Sequence, residues 1–127
     1  MSDVVLDASA LLALLNAEKG AQLVEDLLPQ SVTSAVNLAE VATRLSVVGM
    51  PENEIREALM LLGLETIPFD QEQAFQAGLL YPHTASLGLS LGDRACLALA
   101  NGTAATAVTA DRAWKNLDIE VQIQLIR

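Results

Sequence analysis

The sequence predicts an α/β domain in which a parallel sheet is covered by helices on both faces. Three observations lead there. Short apolar runs, such as Val4-Val5-Leu6 and Ala107-Val108-Thr109-Ala110, alternate with longer segments of helical periodicity. These runs are continuously apolar, as in strands buried from both sides. Breaks between segments fall on Pro, Gly and polar residues, with no repeat, linker or low-complexity stretch. At 127 residues and 52% hydrophobic, the chain is expected to form one domain, residues 1–127, around a substantial core.

The first strand is predicted at Val4–Asp7, followed by short helices over Ala8–Asn16 and Gly20–Leu28, the second ended by Pro29. Ser31–Thr33 is a short second strand. Ser34–Val48 is helical, with Gly49 at its C-terminal stop. Pro51 opens the next helix, to about Leu62, and Glu52 and Glu54 suit its positive end. Thr66–Phe69 is the third predicted strand and Gln71–Leu80 a helix. Tyr81–Leu89 contains Pro82 and Gly88 and reads as a loop. A helix over Ser90–Asn101 ends near Gly102. Ala105–Thr109 is the fourth predicted strand, Ala113–Leu117 one helical turn, and Glu120–Ile126 the fifth strand.

Composition narrows the function. A net charge of −9 argues against a broad basic face that holds nucleic acid. It leaves room for a protein that reaches phosphate through bound cations: two divalent ions would bring −9 to −5. One Trp, one Tyr and two Phe are too few for a base-stacking platform. No apolar run reaches the length of a membrane span, and Asp3 and Asp7 interrupt any N-terminal signal segment. The lone Cys96 has no internal partner for a disulfide. A soluble cytoplasmic protein is expected.

Four acids then stand out: Asp7, Glu40, Asp93 and Asp111. Asp7 and Asp111 end the first and fourth apolar runs, so both project at strand carboxyl ends, where open α/β sheets bind ligands. Taken singly, each has a structural explanation. Asp7 fits the N-cap of the following helix, Asp111 a cap for the turn with Trp114, and Ser90-Leu91-Gly92-Asp93 a capping box. Glu40 lies opposite the apolar face formed by Leu38, Val41, Ala42, Leu45 and Val48, in a strip with Asn37 and Arg44. An intrahelical Glu40–Arg44 ion pair is the alternative there. Jointly, carboxylates drawn together from distant segments repel unless a cation lies between them, and all-oxygen ligands suit magnesium or manganese. Ser9 and Thr109 place hydroxyls beside the carboxylates, as supporting groups. Arg94 and Arg112 each follow one of the acids and are candidate phosphate contacts on a small basic rim.

The motifs Val-Leu-Asp-Ala-Ser at 5–9, Asn-Leu-Ala-Glu-Val around Glu40, Ser-Leu-Gly-Asp-Arg-Ala-Cys-Leu-Ala-Leu-Ala at 90–100 and Thr-Ala-Asp-Arg-Ala-Trp at 109–114 resemble the PIN-domain ribonucleases. More narrowly they resemble the VapC-type toxins of bacterial toxin–antitoxin pairs. The resemblance spans essentially the whole chain. It implies a three-layer PIN-like fold with a five-stranded parallel sheet in the order 3-2-1-4-5. Carried over by position, it makes Asp7, Glu40, Asp93 and Asp111 the acidic site, supported by Ser9, Asn37 and Thr109. It further implies cleavage of RNA that leaves a 5′ phosphate, homodimers, and a cognate antitoxin that inserts a basic side chain among the carboxylates.

The expected activity is Mg²⁺- or Mn²⁺-dependent endonucleolytic hydrolysis of RNA, with Asp7 and Asp93 as main metal ligands and Glu40 and Asp111 completing the charge. His83, the only histidine, is expected to face solvent rather than act as a base. Cys96 is expected in the core, and Trp114 to pack there with its ring nitrogen seeking a partner. A phospho-acceptor signalling domain is rejected: Asp7 is a single acid, and no lysine follows Lys115. A phosphatase with an Asp-x-Asp nucleophile is rejected because Ser9 stands at the second position. The remaining rival is a PIN fold kept as a binding or scaffold module. Surplus apolar residues on the Glu40 helix and at Ile55, Leu59, Met60 and Leu62 point independently to a homodimer.

Overall fold

The computed structural model describes residues 3–127; residues 1 and 2 of the expected domain lie outside the described residues. β1 (Val4–Leu6), β2 (Ser31–Ser34), β3 (Glu65–Ile67), β4 (Thr106–Thr109) and β5 (Ile123–Leu125) form one parallel sheet in the order β3-β2-β1-β4-β5. Around it lie α1 (Ala8–Leu15), α2 (Ala21–Leu27), α3 (Ala35–Val47), α4 (Glu52–Met60), α5 (Gln71–Leu79), α6 (Tyr81–Thr84) and α7 (Leu91–Thr103). The expected α/β class and strand order are both present.

The continuous apolar run of β1 follows from its central place. Its residues pair with β2 on one side and with Thr106, Ala107 and Val108 of β4 on the other. Side chains then alternate between two cores. Val4 and Leu6 join Leu11, Val24, Val41, Leu45 and Val108 beneath α1–α4, with Ile55 and Leu59 packed behind. Val5 joins Val32, Ala107, Leu97, Ala100 and Trp114 beneath α7. The chain thus covers one face while moving from β1 to β3, crosses over through α5–α7, and re-enters beside β1 as β4. The switch point between β1 and β4 lies at the strands' carboxyl ends, where Asp7 and Asp111 sit.

Most boundaries fall within one or two residues of expectation, and three segments differ in ways that have a physical reason. Tyr81–Leu89 is not simply a loop: it holds α6 and a 3₁₀ turn over Ala85–Leu87. Pro82 sits in the first turn of α6, where its missing N–H costs nothing, and the Thr84 hydroxyl donates to the Leu80 carbonyl at 3.1 Å. The third strand is Glu65–Ile67 rather than Thr66–Phe69, ending ahead of Pro68, which has no N–H for a ladder. The fifth is only Ile123–Leu125. β3 and β5 are the two edges of the sheet.

Between α3 and α4 runs an open groove of about 850 Å³, lined by Leu38, Ala42, Val47, Ile55, Leu59 and Met60. Its rim is strongly apolar, with Val47 75% and Met60 79% exposed. Among the described residues, no helix is long and apolar enough to cross a membrane.

Candidate active site

Asp7 sits between β1 and α1 and is only 3% exposed. It is the N-cap of α1, accepting the Ala10 N–H at 3.0 Å through Oδ1. The same oxygen accepts the Ser9 hydroxyl at 2.7 Å, and Oδ2 accepts the Thr109 hydroxyl at 2.8 Å. Ser9 and Thr109 in turn accept the backbone N–H groups of Ala110 and Asp111 at 2.9 and 3.0 Å. This network ties the end of β1 to the end of β4 and fixes the rotamer of the Asp7 carboxyl.

Those hydrogen bonds do not fully offset burial. Desolvation raises the Asp7 pKa from 3.8 to about 6, against the lowering by Ser9, Ala10 and Thr109, and the charge of Asp93 pushes it further up. Behind Asp7, the thiol of buried Cys96 lies 4.0 Å from the Val5 carbonyl. Burial raises the thiol pKa well above its ordinary range, and the charges of Asp7, Asp93 and Glu40 add to the effect. These three acids therefore act on one buried point at the head of α7, where Cys96 packs as expected.

Glu40 reaches this point by a route the sequence does not advertise. Its carboxylate lies against the Cα of Gly92, where any Cβ would strike both its oxygens. Asn37, one turn earlier on α3 and buried, donates through Nδ2 to Glu40 Oε1 and to the Gly92 carbonyl, each at 3.0 Å. Both partners are acceptors, which fixes the amide orientation. The alternative Glu40–Arg44 ion pair is not formed; Arg44 is exposed and Glu40 is held by Asn37 instead.

Asp93 completes the capping box at the start of α7. Its Oδ2 accepts the Ser90 N–H at 2.8 Å, and the Ser90 hydroxyl accepts the Asp93 N–H at 3.2 Å. Asp111 caps the 3₁₀ turn over Arg112–Asn116 through Oδ1, which accepts the Ala113 N–H at 3.0 Å. Capping and ligation are thus compatible. Glu40, Asp93 and Asp111 each commit one oxygen to a neighbouring donor and keep the other without a hydrogen bond among the described residues.

Among the described residues, no three acidic, histidine or cysteine side chains stand at metal-holding distances. The donor set is nonetheless all oxygen and net negative, as a hard divalent cation requires. Asn37 Oδ1 is also buried without a hydrogen-bond partner among the described residues, an acceptor open to a water or ligand.

The two candidate phosphate contacts are placed differently. Arg94 is engaged inward: its Nη1 donates to the Ala77 carbonyl of α5 at 2.9 Å, and its guanidinium lies 5.5 Å from the centre of the Tyr81 ring. Arg112 is exposed and donates only to the Arg127 carbonyl, at 3.4 Å. His83 is exposed, on α6. Trp114 is fully buried, as expected, and its ring nitrogen has no hydrogen-bond partner among the described residues.

Gly92 is the site residue that sequence reasoning missed. A glycine inside a helix forfeits up to about 1 kcal/mol against alanine, so it signals a packing demand. Gly92→Ala is expected to keep thermal stability within about 1 kcal/mol, since the displaced group is the end of a flexible side chain. It should slow any reaction that uses Glu40 by at least about tenfold, because a small misplacement of a catalytic group is costly. Melting curves and activity measured side by side would show this; unchanged activity would remove Glu40 from the machinery.

The model of the PIN domain family matches residues 4–120. Among solved structures, the chain is similar to a DNA-bound VapBC from Salmonella typhimurium, with 17% identity over 100% of each chain and a TM-score of 0.79. It is similar to a sarcin-ricin loop cleaving VapC toxin from Mycobacterium tuberculosis, with 19% identity over 94% of this chain and 98% of the other and a TM-score of 0.71. It is also similar to a member of the VapBC family of toxin–antitoxin systems from the same organism, with 26% identity over 98% of each chain and a TM-score of 0.61. No curated protein sequence matches the chain significantly.

Proposed function

The chain belongs to the PIN-domain family, and we propose that it is a divalent-metal-dependent endoribonuclease acting as the VapC-type toxin of a toxin–antitoxin pair. One observation carries the reading. A buried carboxyl, Asp7, is held at the switch point of the sheet by Ser9, Ala10 and Thr109, and burial together with the charge of Asp93 pushes its pKa up to about 6. Capping α1 needs an oxygen acceptor and not a buried charge, so burial of a carboxylate beside further acids suits a site that takes a cation.

Asp7 and Asp93 would hold the cation, Mg²⁺ or Mn²⁺, with Glu40 and Asp111 adding charge around it. The chemistry such a cation would supply is acidification of a water and offset of the charge on the phosphate, so that hydrolysis would release the 3′ oxygen and leave a 5′ phosphate. The chain's own residues supply order. Ser9 and Thr109 orient Asp7, and Asn37 orients Glu40. Asn37 Oδ1 offers an unused acceptor to a water or hydroxyl at the site.

The similar structures support an antitoxin and an RNA substrate as partners. One similar toxin is described as cleaving the sarcin-ricin loop, and others are in VapBC complexes. We place a cognate antitoxin and a second copy of the chain among the partners of this protein, with the apolar groove between α3 and α4 as surface for such contacts.

The test is incubation of purified, antitoxin-free protein with structured RNA, with Mg²⁺ or Mn²⁺ and with chelator. Cleavage should require the metal. Folded protein that cleaves nothing under any metal, and whose Mn²⁺ affinity is nil or unchanged in Asp93→Asn, would leave a binding module instead. His83→Ala should keep cleavage within about twofold, as for an exposed surface residue; a large loss would demand a different mechanism.

A further inference from the structure

A second concentration of charge lies beside the acidic edge. A cleft of about 310 Å³ opens between α1, α3 and the C-terminal segment, lined by Ser9, Asn16, Glu18, Arg44, Leu45 and Arg127. Arg127 is set in place: its Nη1 donates to Glu18 Oε1 and to the Lys19 carbonyl, both at 3.1 Å. Its own carbonyl accepts from Arg112 Nε at 3.4 Å. Two of the seven basic residues of the chain, Arg44 and Arg127, therefore line this cleft, on a protein of net charge −9.

Glu18 compensates Arg127, whereas Arg44 is exposed and has no ion pair among the described residues. The cleft also shares a wall with the acidic site. Ser9 lines it and donates to Asp7 Oδ1 at 2.7 Å. A polyanionic strand lying across the acids is repelled by this protein everywhere except where a cation faces it. An uncompensated guanidinium next to the site is suited to a phosphate, which it can grip through two N–H groups.

We propose that this cleft is an anion subsite that seats a backbone phosphate of the RNA strand next to the one being cleaved, with Arg44 as its cation. The identity of the ligand rests on the nuclease reading; the subsite itself is tested without cleavage. Anisotropy of a labelled single-stranded RNA in chelator would compare wild type with Arg44→Ala, Arg44→Glu and Arg44→Lys. Expected are a roughly fivefold to tenfold loss for Arg44→Ala, a larger one for Arg44→Glu and partial recovery in Arg44→Lys. The slope of log affinity against log salt should fall by about one phosphate contact. With Mn²⁺, Arg44→Ala should raise KM and spare kcat.

RNA binding that is equal in wild type and Arg44→Ala, or absent from both, overturns the subsite and leaves metal-dependent cleavage standing. Arg44-dependent binding without any cleavage sinks the enzyme and keeps the subsite. An acidic peptide that binds through Arg44 while RNA affinity ignores it would assign the cleft to a protein partner and overturn the proposal. Arg44 is exposed, so melting temperatures of the variants should stay within about 2 °C of wild type.

Discussion

Asp7→Asn is expected to lower metal-dependent RNA cleavage by at least about 10³-fold, a loss of roughly 4 kcal/mol of transition-state stabilisation. The substitution keeps the shape of the side chain. An asparagine oxygen can still accept from Ser9 and the Ala10 N–H, which now meet at Asp7 Oδ1. Its nitrogen would face Thr109, whose hydroxyl can turn to accept instead of donate. What disappears is the charge. Glu40, Asp93 and Asp111 remain, but each has one oxygen committed to a cap or to Asn37. Cleavage rates at saturating metal, together with Mn²⁺ affinity by calorimetry, give the measurement. Activity within tenfold of wild type would place the chemistry elsewhere.

The same substitution is expected to stabilise the metal-free protein. The sign follows from linkage. The folded-state pKa of Asp7 is raised, from 3.8 to about 6, mainly by desolvation. Its contribution is therefore fully present below about pH 4, where the carboxyl is protonated in both states. It is lost as pH rises through about 6, where the unfolded chain has already released the proton. The loss at neutral pH is about 3 kcal/mol by order of magnitude. Asparagine does not titrate. Asp7→Asn should thus melt close to wild type below about pH 4 and roughly 10 °C higher above pH 7 in chelator. Mn²⁺ should close the gap from the other side, by binding only wild type. Denaturation curves in chelator at pH 4 and pH 8 would decide. A variant less stable than wild type at both would mean that Asp7 is a structural cap first. Higher stability paired with lost cleavage is the usual signature of a site held against the preference of the fold.

Much of this was legible in the sequence for definite reasons. A central parallel strand must be apolar on both faces, and Val4-Val5-Leu6 is so; the acid that ends it has to lie at the sheet's carboxyl edge. The capping box at Ser90–Asp93 was readable from spacing and is formed. What spacing could not give was contact between distant segments. Periodicity allows Glu40 to meet Asn37 or Arg44 equally well, and the choice falls to Asn37 because α7 lies across α3 and supplies the Gly92 carbonyl as a second acceptor. Gly92 was visible but silent until Glu40 was found lying on it. Arg94 follows an acid in sequence, yet helical geometry carries it toward α5 and Tyr81. In Tyr81–Leu89, Pro82 and Gly88 begin and end short helical turns rather than interrupting them.

The two edge strands are three residues long apiece, Glu65–Ile67 and Ile123–Leu125. An incoming strand would find only a few free backbone groups on either side, too few to extend the sheet productively. Growth of this protein into larger assemblies is thereby channelled away from ribbon pairing. The broader surfaces open to a companion chain are those of the helices, where contact rests on shape and side chain and offers no template for fibrils.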